Sequence, residues 1–115
     1  MQYKLAVLLA VLVGACGDGG SDTPSTVSVA KSLGSLQCSG GGTTVAVLQS
    51  QLSSAGVQVL AASCGNDGNA YPALCGAPDG AIAIFDLPAS QQAAAQALNF
   101  VPLSTFPNAA KAACR

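Results

Sequence analysis

Five cysteines and five aspartates carry most of the chemistry open to this chain, which has no histidine, glutamate or tryptophan. Without histidine it lacks the usual base near neutral pH and the commonest imidazole metal ligand. Cys38, Cys64, Cys75 and Cys114 form an even set. A four-cysteine zinc site usually contains a close C-x2-4-C pair, and these spacings contain none, so two disulfides are expected and no metal. The absence of C-x-x-C likewise argues for structural bridges over a redox enzyme. Asp67, Asp79 and Asp86 stand beside glycine, proline or strand residues, a pattern of turns and strand ends that does not meet the EF-hand spacing. The expectation is a protein that is not an enzyme and takes no cofactor.

Cys16 stands apart. It follows a start containing Lys4, an unbroken apolar run from Leu5 to Val13, and the small residues Gly14 and Ala15. The run is too short to span a bilayer, which takes roughly 20 residues at helical rise. Val13-Gly14-Ala15-Cys16 resembles the lipobox of bacterial lipoproteins. That resemblance implies a signal peptide over residues 1–15, lipidation of Cys16 with palmitate-type acyl chains, and the lipid bilayer as a partner. Gly17 stands where aspartate would resemble an inner-membrane retention signal, so the expected location is the outer membrane, facing the periplasm, over the inner membrane.

Residues 16–26 are linker-like: after Cys16 runs GDGGSDTPST, with no apolar side chain, and a lipidated tether is expected there. Residues 27–115 then have room for one small domain, of a size that benefits from crosslinks. Beyond residue 15 the formal charge is −2, from Lys31, Lys111 and Arg115 against the five aspartates. Nothing resembles the basic patch that neutralises phosphates, which argues against nucleic acid as a partner.

The elements that must position these residues are read from periodicity and punctuation. Ser35–Cys38 reads as a short strand, followed by a glycine-rich loop, Ser39 to Gly42. A helix follows, capped by Thr43 or Thr44, with Val45, Leu48, Leu52 and Ala55 on one face and Gly56 ending it. That loop lacks the lysine of a P-loop and reads as a flexible entry to the helix. Residues 57–62 read as a second strand, 65–80 as loop, 81–87 as a third strand, and 88–98 as a helix with a small face of Ala94, Ala97 and Leu98. Residues 100–105 read as a proline-interrupted edge strand, and 107–113 as a helical turn. The expected fold is α+β, a small two-layer sandwich in ferredoxin-like βαββαβ order, with two disulfides.

One segment, Cys64-Gly65-Asn66-Asp67-Gly68-Asn69-Ala70-Tyr71-Pro72-Ala73-Leu74-Cys75, resembles part of the Kazal-type serine-protease inhibitors in its pattern C-G-x-D-G-x-x-Y-x-x-x-C. The resemblance covers twelve residues and implies an exported inhibitor in which Cys64 and Cys75 bond to different partners. The family's close upstream cysteine pair and its reactive-site position have no counterpart here. A local reading accounts for the same residues: Asp67-Gly68 turns the chain, Tyr71 packs over it, and a Cys64–Cys75 bridge staples two antiparallel strands, leaving Cys38 for Cys114. The staple is the favoured pairing, with connectivity left open.

Strand alternation supplies a last expectation. If Val57, Val59, Ile82 and Ile84 face the helices, Leu60, Phe85 and Leu87 face away, and the exposed face would suit a protein partner or homodimer unless the tether or the 65–80 loop covers it. The leading functional expectation is therefore a non-enzymatic lipoprotein domain of the envelope that works through protein contacts, with the exported inhibitor as the alternative.

Overall fold

The computed structural model describes residues 25–114. The expectations for the signal peptide, the lipidated Cys16 and most of the tether lie outside the described residues. The element order is β1 (Thr26–Ser32), α1 (Val45–Ser54), β2 (Ala61–Asn66), β3 (Ala81–Pro88), a 3-10 turn (Ala89–Gln91), α2 (Gln92–Ala97), β4 (Val101–Pro102), a second 3-10 turn (Leu103–Thr105) and β5 (Ala110–Lys111). The five strands form one antiparallel sheet in the order β4-β1-β3-β2-β5. The fold is α+β with two disulfides.

The first strand is not at 35–38. It is β1, which pairs along its whole length with β3, from Thr26 against Pro88 to Ser32 against Ile82. Its alternation is plain once the partner is known: Val27, Val29 and Lys31 share one face, Ser28, Ala30 and Ser32 the other. Residues 36–40 instead make a tight turn in which Leu36 and Gly40 exchange backbone hydrogen bonds of 2.8 Å. Helix α1 forms where the capping signals place it. The Thr44 hydroxyl accepts from Val47 N at 3.1 Å, and Gly56, at φ 82°, leaves the helix in the left-handed conformation.

Strand β2 lies four residues later than the apolar run Val57 to Ala62 suggests. Val57 is consumed in closing α1, donating its amide to Leu52 O, and Val59 packs against the helix-side core from the connection. The strand continues through Cys64-Gly65-Asn66 because glycine permits a close approach. A Cβ at Gly65 would lie 2.8 Å from Ala110 O of β5. The second helix is shorter than 88–98, and its buried contact is Ala95, while Ala94 and Ala97 are exposed. Pro102 does lie on an edge strand, paired with Val29. The expected helical turn over 107–113 is replaced by β5.

Both helices pack on one face of the sheet, and Val57 and Val59 meet that side as expected, but the two faces of β3 are the reverse of those expected. Ala83, Phe85 and Leu87 meet Leu48 and Leu52 of α1, Ala95 of α2, and Phe100, whose ring lies edge-on to Phe85 at 5.8 Å. Ile82 and Ile84 point the other way, with Ala30. Alternation separates the two sets without saying which one meets the helices. Nor is the second face open. Leu103, Phe106 and Ala109 cover it, so Ile82 and Ile84 are about 1% exposed. Among the described residues the cover is the segment after β4 and not the 65–80 loop. Phe85 and Leu87, expected on an exposed face, are buried beneath the helices and offer no surface to a partner or homodimer, whereas Leu60 is 49% exposed as expected.

Lys31, on the helix side of β1, donates from Nζ to Leu98 O at 3.0 Å, beyond the end of α2, and lies 4.8 Å from the Phe100 ring centre. A cation at a helix C-terminus and over an aromatic face is favoured on both counts.

Candidate functional site

Strands β1 and β2 finish, and β3 starts, at the same end of the sheet, so loops 33–44 and 67–80 meet there. Within 67–80 the chain is ordered by Asp67, which is 6% exposed. Its Oδ1 accepts from Asn69 N at 2.8 Å, and its Oδ2 accepts from the Tyr71 hydroxyl at 2.6 Å. Its amide donates to Gly80 O, and Gly68 turns the chain at φ 76°. The expected Asp67-Gly68 turn with Tyr71 over it is therefore present. Donating to Asp67 holds the Tyr71 phenol above its ordinary pKa, because ionisation would break that bond and set two negative charges together.

The Cys64–Cys75 staple is not present. Cys38 bonds to Cys75 and Cys64 to Cys114. The reason is positional: Cys64 remains in β2, opposite Ala83 on the helix side, while the loop carries Cys75 out to the 36–40 turn. The bridges close loops with sequence separations of 37 and 50. Each is worth about 4 kcal/mol in the chain-entropy account.

Loop 33–44 is tied to loop 67–80 by more than the disulfide. Gln37 exchanges backbone hydrogen bonds with Ala77 O and Gly76 N, and its Nε2 donates to Pro72 O and Pro78 O at 2.8 and 3.1 Å. The Ser35 hydroxyl donates to both Asp79 oxygens, at 2.8 and 2.7 Å, and Ala81 N donates to Oδ1. Asp86 lies elsewhere, on β3, accepting from Ser28 at 2.6 Å. The structure thus brings Asp67 and Asp79 to the same end of the sheet and leaves Asp86 apart.

Two concavities open at this end. One, of about 430 Å³, runs between Leu33, the Thr43–Ala46 start of α1, Ile82 and Ala112–Cys114. The other, about 530 Å³, is bordered by Leu36, Gln37, Asn69, Tyr71 and Asp79. Neither 34–44 nor 68–78 contains a charged residue, yet Leu36 and Leu74 are 39% and 57% exposed. No spacing rule in the sequence pointed to this pairing of loops, because it depends on the Cys38–Cys75 connection. Among the described residues, no group of three or more His, Cys, Asp or Glu is arranged to hold a metal ion, and no helix is long and apolar enough to cross a membrane.

These features define a small disulfide-bonded α+β domain whose concave surfaces gather at one end of its sheet. No family model, curated protein or solved structure compared with the chain matches it.

Proposed function

We propose that this chain is an exported bacterial lipoprotein whose domain, residues 27–115, acts through protein contacts in the envelope and is not an enzyme. In this reading residues 1–15 are a signal peptide, and acylated Cys16 anchors the tether to the periplasmic face of the outer membrane. The observation that carries it is the paired-loop surface. Two crosslinked, hydrogen-bonded loops, with no charged residue in 34–44 or 68–78, hold Leu36 and Leu74 in solvent, an arrangement that suits recognition better than packing. That surface lies at the opposite end of the sheet from Ser25, whose carbonyl accepts from Ala89 N where the tether would join. The anchor would thus direct it away from the membrane.

The finer architecture belongs to the same proposal. The adjacency β4-β1-β3-β2, with both helices on one face, supports a ferredoxin-like reading in which β5 is added outside β2. Engagement of each described aspartate by local donors supports the non-enzymatic reading. The anchor is tested by mass spectrometry of the protein from its bacterium and by Cys16→Ser. Acyl mass on Cys16, and release of the variant from membranes, are expected, and an unmodified Cys16 would overturn the anchor. Leu74→Asp should abolish crosslinking of a photoreactive group placed beside Leu36 without changing the circular dichroism. Unchanged crosslinking would count against the surface.

A second reading, the exported serine-protease inhibitor, is favoured by one observation: Cys64 and Cys75 bond to different partners, as the Kazal-like segment implies. Inhibition of trypsin-, chymotrypsin- or subtilisin-like proteases at micromolar concentration would support it, and its absence against all three would dispose of it.

A further inference from the structure

The two disulfides differ in where their sulfurs sit. Cys38 and Cys75 are both exposed, whereas Cys64, 9% exposed, is held in β2 beneath α1 and only its partner Cys114 is exposed. Thiol–disulfide exchange needs a thiolate to reach one sulfur while the other departs as a thiolate. At Cys38–Cys75 either departing group is hydrated. At Cys64–Cys114, attack on the exposed residue's sulfur would drive charge onto a buried thiol, which burial disfavours, and Cys64, 9% exposed, is reached only through the concavity that both cysteines line.

A second observation concerns the backbone. Cys38 sits at φ 73°, in the left-handed region that a side chain bearing Cβ adopts at a cost. The Gln37 hydrogen bonds to Pro72, Ala77 and Pro78 meanwhile keep the two loops in register, so that the same cysteines can rejoin. Loops 34–44 and 68–78 carry no charge, and Asp79, the carboxylate that borders the concavity beside Cys38, is engaged by the Ser35 hydroxyl and Ala81 N.

We infer that Cys38–Cys75 is a thiol–disulfide exchange site, opened reversibly by a dithiol reductant while Cys64–Cys114 stays closed. The reductant's thiolate attacks Sγ of Cys75, the Sγ–Sγ bond breaks, and Cys38 leaves as a thiolate that takes up a proton. The second thiol of the reductant then attacks the mixed disulfide, releasing Cys75 and closing the reductant's own disulfide. In total, two electrons and two protons pass to the protein.

The test treats the oxidised full chain with graded dithiothreitol, quenches in acid, alkylates the free thiols and locates them by peptide mass spectrometry. Cys38 and Cys75 should be labelled at least tenfold faster than Cys64 and Cys114, with the circular dichroism of the partly reduced protein unchanged. At equilibrium the two bridges should differ by at least tenfold in their reduction constants, about 30 mV for a two-electron couple. Simultaneous labelling of all four cysteines, or earlier labelling of Cys64 and Cys114, would overturn the proposal.

Discussion

Asp67 is the residue on which loop 67–80 turns. It is buried, it accepts from Asn69 N and the Tyr71 hydroxyl, and among the described residues no salt bridge compensates its burial. Asp67→Ala removes the acceptor from both donors and should lower the unfolding free energy by about 1–3 kcal/mol, read from urea denaturation. Tyr71→Phe tests the same contact through pH. Because the folded-state pKa of Tyr71 is raised above its ordinary value of 10.0, its stabilisation is complete below pH 10.0 and is lost as pH rises through the folded pKa. The wild-type protein should therefore lose stability in that alkaline window, and Tyr71→Phe should lose less, with ultraviolet phenolate absorbance marking the transition. The Asp-Gly turn and its tyrosine were legible in the sequence because they are local. The disulfide partners were not, since a cysteine in a strand and one eleven residues later in a loop are placed by the sheet and not by spacing.

At the scale of elements, the readable parts were those with their own punctuation. Helix α1 carries a cap and a terminal glycine, and Thr44→Ala should cost about 1 kcal/mol by loss of the bond to Val47 N, measured by thermal or chemical unfolding. Strand β3 shows an apolar run long enough to mark a central strand. Strand β1 was hidden by its small polar residues and by a neighbouring linker of similar composition. Strand β2 was displaced because Gly65 and Asn66 resemble a turn until β5 is laid beside them. Glycine at position 68 answers a similar demand. A Cβ there would overlap the Asn108 carbonyl, and φ is positive, so Gly68→Ala should destabilise by roughly 1–3 kcal/mol, more than Gly76→Ala, where φ is also positive but the space is open.

For the whole molecule, the decisive arrangement is a sheet covered on both faces by different means: helices on one, a single crossing segment on the other. Phe106 is the largest side chain of that segment and packs on the Ala30–Ile82–Ile84 cluster. Phe106→Ala should cost about 2 kcal/mol or more, since the isoleucines beneath it lose their cover. Dye binding to the newly exposed patch would show the same event optically. Sequence alternation gave both strand faces their composition. The covering segment could not be foreseen, because its few apolar residues, Leu103, Phe106 and Ala109, are spread over irregular chain.

Lys31, folded back onto Leu98 O and the Phe100 ring, has a practical consequence for anyone who attaches this protein to a surface or a dye. Its amine is engaged, whereas Lys111, the other described lysine, is exposed on the edge strand β5. Brief treatment with an amine-reactive ester should acylate Lys111 well ahead of Lys31, as tryptic peptide masses would reveal. A bead or fluorophore so coupled would hold the domain by its β5 edge.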